Sequence, residues 1–260
     1  MSVSIADIIR LIEQQLPPSL QESWDNCGLQ LGSTELVCRG VLCTLDITEA
    51  VLEEAIRKGC NLIVAHHPLL FKGLKRIGDE SYIERCVRLA IKHDITIYAA
   101  HTNADVASEG LNMLLAEELR LVNPRILAPS SSSGEGLGAI GTLPEPLKLS
   151  DCLTMLARYF DTQQMRYNLY EPQTVRSVAL CGGAGAFLAS EARRQGADIF
   201  VTGEAKYNDY YDAEGITLVT VGHYESEFVA TRLFARIISA HYPELCHIVE
   251  TPHNPVKTIN

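Results

Sequence analysis

No two cysteines in this sequence are spaced as C-x-x-C, although eight are present: Cys27, Cys38, Cys43, Cys60, Cys86, Cys152, Cys181 and Cys246. That absence argues against a closed structural zinc site, which needs paired thiolates. Most of the eight sit inside apolar runs, where a free thiol packs as a small hydrophobe, so a reducing compartment is expected. No apolar stretch approaches the roughly 20 residues that a membrane span needs. The opening MSVSIADIIRLIEQQLPP lacks a basic n-region, a continuous apolar core and a small-residue cleavage site. A cytoplasmic protein without membrane contact is therefore expected. Positive charge is also scarce: 22 Lys and Arg stand against 32 Asp and Glu, a net charge of -10, and the pI is near 5.3. Attraction to a phosphate backbone needs a basic surface, so nucleic acid is not an expected partner.

What is present is ordinary for a folded chain. With 260 residues, 47% apolar and 21% charged, there is material for one large domain or two lobes. Ser4 with Asp7 makes the capping pattern of a helix whose apolar positions Ile5, Ile8, Ile9, Ile12 and Leu16 recur at helical spacing, and Pro17-Pro18 ends it. VLCTLDI (41–47) reads as a strand, Thr48 to Lys58 as a helix closed by Gly59, and NLIVAHHP (61–68) as a second strand. A helical pattern around Ile83 to Lys92 leads to ITIYAAHTNAD (95–105). Strands alternating with helices over short connections predict parallel βαβ units.

The stretch PSSSSGEGLG (129–138) is the richest in Ser and Gly and is expected to link a first α/β lobe over 1–128 to a second over 139–260. A C-terminal helix over about 226–260 is expected to pack back on the first lobe. LKLSDCLTMLARYF (147–160) reads as a helix capped by Ser150, and SVALCGGAG (177–185), ADIFVTGEA (197–205) and ITLVTVGH (216–223) as strands with their loops.

The second half repeats the plan of the first. Val64-Ala65-His66-His67 falls on Val201-Thr202-Gly203-Glu204, and His101-x-x-x-Asp105 falls on His223-x-x-x-Glu227. The expected fold is α/β, with two quasi-repeated lobes whose mainly parallel sheets face a shared metal cleft. Strand ends of a parallel sheet share one edge, where ligands bind. Adjacent histidines on an extended segment point to opposite sides, and four-residue spacing on a helix stacks imidazole and carboxylate on one face. His66, His67, Asp105, His223 and Glu227 are therefore candidate ligands for two divalent ions of the kind imidazole and carboxylate suit: zinc, iron, manganese or nickel. The plainer alternative for Asp105 and Glu227 is favourable placement of acids at helix starts.

His101 is either a sixth ligand or a group that orients Asp105. Glu204 can act as a general base, hold a water or be a surface acid. In SWDNCGLQLG (23–32), Asp25 reads as the cap of a turn packing on Trp24. Lys72 and Lys206 can meet an anionic substrate or simply be solvated. GGAG (182–185) lacks the full spacing of either phosphate-loop fingerprint.

The segments WDNCGLQLG, HHPLLFKGLKRI, HTNAD, GEGLGAIGTLPEP, VTGEAKYND and GHYESE together resemble the Nif-three-like dinuclear metal-centre proteins, also labelled GTP cyclohydrolase 1 type 2 homologs. They come in that family's order and cover nearly the whole chain. The resemblance implies a two-lobed subunit, a toroidal homohexamer, and two ions held by His66, His67, Asp105, His223 and Glu227. Longer members carry an inserted middle domain, for which this chain is too short. The label implies opening of the guanine ring of GTP, yet no purine-reading motif supports that substrate here. Two readings of function follow. One is a metal-dependent hydrolase acting on a small molecule, with Glu204 or His101 moving protons. The other is a metal-containing hexamer that recruits a protein partner.

Overall fold

The computed structural model describes residues 3–130, 134–162, 164–251 and 253–257. The chain divides into two compact units. One runs to Ala107 and is rejoined by Ala230–Lys257, and the other is Ser108–Val229.

The first unit opens with α1 (Ile5–Gln15). Ser4 Oγ accepts the Asp7 N–H while the Asp7 carboxylate accepts the Ser4 N–H at 2.9 Å, so the helix starts on a complete capping box. Ile5, Ile8, Ile9 and Ile12 are its buried face. The elements that follow are β1 (Gly28–Leu31), β2 (Val41–Thr44), α2 (Glu49–Arg57), β3 (Leu62–Ala65), α3 (Tyr82–Lys92), β4 (Thr96–Ala99) and α4 (Thr102–Val106). The sheet order is β1-β4-β3-β2, with β2, β3 and β4 parallel and β1 antiparallel to β4. Every residue of β2, β3 and β4 is buried, which is why these strands read as unbroken apolar runs rather than alternating ones.

The second unit holds α5 (Leu111–Glu118), β5 (Val122–Pro129), β6 (Gly136–Lys148), α6 (Leu149–Tyr159), β7 (Arg166–Tyr167), β8 (Thr174–Cys181), α7 (Ala189–Arg194), β9 (Ile199–Thr202), α8 (Asp209–Asp212), β10 (Thr217–Thr220) and α9 (His223–Glu227). Its sheet, ordered β5-β6-β8-β9-β10-β7, has a parallel β8-β9-β10 core, to which β6, β5 and β7 are added antiparallel. Phe200, Ile216, Leu218 and Ala179 pack under it with Leu127 and Ile140.

The chain then re-enters the first unit through α10 (Val229–Ser239) and β11 (Cys246–Ile248), which extends the first sheet in parallel beside β2. The helix expected over about 226–260 is thus shorter, because Pro243 cannot continue it. The Ser/Gly-rich stretch is a second difference. It joins β5 to β6 as a hairpin, with Pro129 opposite Gly136, and the units part at Ala107/Ser108 and Val229/Ala230 instead. Residues 131–133 of that stretch lie outside the described residues. Serine and glycine serve a tight reversal as well as a linker, so composition alone does not separate the two. Ser150 lies within the first turn of α6, whose N-cap is Lys148 and has no side-chain cap.

The repeat holds at the level of register. Thr44, Ala65 and Ala99 lie side by side in one sheet, and Cys181, Thr202 and Thr220 lie side by side in the other. All eight cysteines are free thiols. Among the described residues no helix is long and apolar enough to cross a membrane.

Candidate metal centre

The chemistry-bearing side chains of the first unit begin just past the level strand ends. His66 and His67 follow β3, Asp46 follows β2, and His101 follows β4 as the N-cap of α4. The His66 N–H donates to the Thr44 carbonyl and the His67 N–H to the Leu45 carbonyl, which holds both residues against the end of β2 although the chain already bends there. The His66 side chain is fully buried and its Nδ1 lies 2.9 Å from the Ala100 carbonyl. His67 Nδ1 lies 2.7 Å from an Asp46 carboxylate oxygen, and His101 Nδ1 lies 2.8 Å from Asp25. Carbonyls and carboxylates only accept, so each Nδ1 carries the hydrogen and Nε2 is the basic atom of each neutral ring. One ring nitrogen or carboxylate oxygen from each side chain is all that a metal ion requires, and His66, His67 and His101 bring theirs within 4.8 Å of one another. Asp105 adds a carboxylate 3.7 Å from His66 Nε2.

Asp25 is more than the cap of a turn. Its side chain is fully buried and accepts hydrogen bonds from His101, from the Thr102 N–H and hydroxyl, and from the Cys27 thiol at 3.0 Å. Burial works against its ionisation, but the bonds from His101, Thr102 and Cys27 outweigh it and hold the carboxyl well below the usual range. Trp24, on which that turn was expected to pack, is 59% exposed, with its ring 6.2 Å from His101.

In the second unit α9 carries His223 and Glu227 one turn apart. His223 Nε2 lies 2.8 Å from Glu227, and Nδ1 lies 3.0 Å from Glu204. Glu227 is buried at 5% exposure because three glycines, Gly182, Gly183 and Gly203, let the chain close on this short helix. A Cβ on Gly183 would stand 2.1 Å from Glu227 Oε1, and one on Gly203 would stand 2.5 Å from Ser226 Oγ. Gly182 and Gly222 are crowded in the same way, by Leu111 and by Glu225. This also explains GGAG. The N–H groups of Gly182, Gly183 and Gly185 go to Asn112, Ser226 and Thr202, and so do not present an empty cradle to a phosphate.

All seven sequence candidates thus fall at strand ends or on the short helices that follow them. Within one unit the structure brings His66, His67, His101 and Asp105 together, and within the other His223, Glu227 and Glu204. The N-caps of the two short helices, His101 and Gly222, make no side-chain cap hydrogen bond, and Glu227 is the last residue of α9 rather than an acid at its start. The equivalence of His101 with His223 shifts by one residue. Counted from the level strand ends at Ala99 and Thr220, His101 is matched by Gly222. Lys72 and Lys206 are solvent-exposed. Sequence reasoning missed Asp46, which holds His67, and undervalued Asp25. The signal for Asp46 was available: it stands two residues past the end of β2, level with the other site residues.

The model of one protein family, described as DUF34/NIF3 (NGG1p interacting factor 3), matches residues 3–255. The chain belongs to that family. A curated relative from Clostridium acetobutylicum, named GTP cyclohydrolase 1 type 2 homolog, is 32% identical over 232 residues, 88% of this chain and 87% of its own. A relative of the same name from Bacillus subtilis is 27% identical, covering 92% of this chain and 93% of its own; the 346 aligned positions exceed this chain's length, so it carries inserted sequence. Among solved structures, the Staphylococcus aureus hypothetical protein SA1388 superposes with a TM-score of 0.91 at 29% identity over 100% of both chains. The Bacillus cereus protein related to NIF3 gives 0.90 at 26% identity, again over 100% of both.

Proposed function

We propose that this DUF34/NIF3 protein holds a pair of divalent metal ions through His66, His67, Asp105, His223 and Glu227, and that it is a metal-dependent hydrolase of small molecules. The observation that carries the reading is the common state of its histidines. Each of the four has Nδ1 tied to an acceptor, by Ala100, Asp46, Asp25 and Glu204 in turn. For His66, His67 and His101 that arrangement sets the ring and leaves Nε2 as the ligating or proton-accepting atom, as metal-binding imidazoles require, whereas His223 has a carboxylate at each ring nitrogen, Glu204 at Nδ1 and Glu227 at Nε2. The name borne by the curated relatives, GTP cyclohydrolase 1 type 2 homolog, supports hydrolysis as the reaction class.

When bound, such ions supply Lewis acidity that makes water nucleophilic near neutral pH and stabilises negative charge on oxygen. The protein's own part is positioning and proton movement. Asp46 and Glu204 fix the rings of His67 and His223, and the buried Glu227 supplies the longer carboxylate suited to bridging. His101, anchored through Asp25, takes or gives a proton at Nε2. Zinc, iron, manganese and nickel all suit this donor set. Assembly as a homohexamer, which the resemblance implies, belongs to the same proposal and is measured by light scattering in solution.

Elemental analysis of protein purified without a metal-affinity tag tests the site, with His67→Ala and Glu227→Ala alongside. About two ions per chain, falling in both variants, are expected. No metal in the parent, and none taken up from added zinc, iron or manganese, would overturn the proposal. Turnover of nucleotides, phosphodiesters or cyclic amides by the metal-replete protein, above a His66→Ala control, then tests the hydrolase.

A further inference from the structure

The second unit contains a pocket of about 690 Å³ whose lining includes none of the candidate metal residues. Its walls are aromatic to an unusual degree: Tyr167, Tyr170, Tyr207, Tyr210 and Tyr211, half of the chain's ten tyrosines, line it. The volume falls within the range of small-molecule sites, roughly 300–1,000 Å³. Tyr207 and Tyr211 are 75% and 65% exposed, and Leu169 at the rim is 95% exposed. Apolar surface left this open in a concavity marks a site of interaction.

The polar groups of the pocket decide what it can take. Asn168, in its lining, is buried and fully used: its amide donates to the Ala213 and Ile216 carbonyls and its oxygen accepts from the Leu218 N–H. The Tyr210 hydroxyl is bonded to Thr220 at 2.7 Å, and those of Tyr207 and Tyr211 to each other at 3.2 Å. The Tyr207 and Tyr211 rings stand 5.5 Å apart at 71°, two walls of a corner. Among the described residues Glu214 is the one charged residue in the lining. Arg193, nearby, donates to the Glu214 backbone carbonyl, and the Glu214 carboxylate makes no ion pair among the described residues.

Among the described residues no lysine, arginine or histidine lines the pocket, and Arg193 beside it is engaged by the Glu214 backbone carbonyl, so an anion finds no counter-charge within it. A ligand that depends on hydrogen bonds finds most partners already engaged. A cation that makes no hydrogen bonds suits both conditions, since tyrosine rings attract it through their quadrupoles and a carboxylate balances its charge. We propose that this pocket binds the trimethylammonium group of a small organic cation, between the Tyr207 and Tyr211 rings and facing the Glu214 carboxylate.

Calorimetric titration of the full chain with choline chloride, and separately with its neutral carbon isostere 3,3-dimethylbutan-1-ol, tests this. Choline is expected to bind saturably and about tenfold or more tighter than the isostere. Tyr211→Phe should keep that binding, Tyr211→Ala should abolish it, and Glu214→Gln should weaken it several-fold. Thermal melting confirms that each variant is folded. Choline binding should survive chelator treatment, which separates this site from the metal centre. Absence of saturable heat with choline on folded protein, equal binding of the isostere, or unchanged affinity in both Tyr211→Ala and Glu214→Gln would overturn the proposal.

Discussion

His101 and Asp25, 76 positions apart in sequence, form a 2.8 Å hydrogen bond in which the acceptor side chain is fully buried. Asp25 thereby sets the orientation of a ring that belongs to the three-histidine group, and removing a partner of that kind typically costs about 10–100-fold in metal affinity. Asp25→Asn keeps the shape but replaces one acceptor oxygen by a donor facing either His101 or Thr102. Zinc affinity measured by chelator competition is expected to fall by at least about tenfold. Unchanged affinity would show that His101 has no part in the centre.

Gly183 allows Glu227 to sit where it does. A methyl group there would meet Oε1 at 2.1 Å, and the backbone is left-handed at φ +62°. Gly183→Ala is therefore expected to displace the carboxylate and lower metal content, besides costing about 1–2 kcal/mol for the left-handed conformation. Gly59→Ala is the control, because Gly59 has φ +72° but nothing within 4 Å. The control should lose comparable stability and keep its metal. If both variants retain full metal by elemental analysis, the glycine cradle is irrelevant to the site.

How much of this was legible follows from the length scale of each signal. The parallel strands β2, β3, β4, β9 and β10 and the 178–181 end of β8 were readable because they are buried, largely apolar runs that lead into polar or glycine residues. β11 was not, because three residues show no period, and its place beside β2 is set 203 residues away along the chain, where Cys43 and Cys246 meet. The β5–β6 hairpin was mistaken for a linker because the two share a composition. Of the site, the histidines and the acids of the repeated spacing stood out, whereas Asp46 and Asp25 act through partners 21 and 76 positions away, pairings that no local pattern records.

Ser4 carries a local prediction about α1. Its hydroxyl accepts the Asp7 N–H at 3.2 Å, and that helix buries four isoleucines. Ser4→Ala is expected to cost about 1 kcal/mol in urea unfolding. A loss within error of zero would mean that the apolar face alone fixes the helix start.

Glu54 ties the returning C-terminal segment to the first unit and makes that attachment acid-sensitive. Its buried carboxylate accepts the Glu250 N–H at 3.0 Å and the Thr251 N–H at 2.8 Å, and pairs with Lys58 at 3.1 Å. Burial opposes its ionisation, but the bonds from Thr251, Glu250 and Lys58 outweigh it and hold the pKa at about 2 against an ordinary 4.5. A pKa lowered by folding contributes stability that is complete above the unfolded value and is lost as pH falls through the folded one. The contribution is on the order of 3 kcal/mol near neutrality and vanishes toward about pH 2. Glu54→Gln presents one acceptor oxygen where two donors converge, so it should be less stable than the parent at pH 7, with the gap closing as pH falls below about 4.5. Denaturant unfolding of both proteins across that range measures the gap. A gap that stays constant down to pH 2 would show that the charge on Glu54 does not hold the segment, and faster hydrogen exchange at Glu250 and Thr251 in the variant would locate the loosening at its two backbone donors.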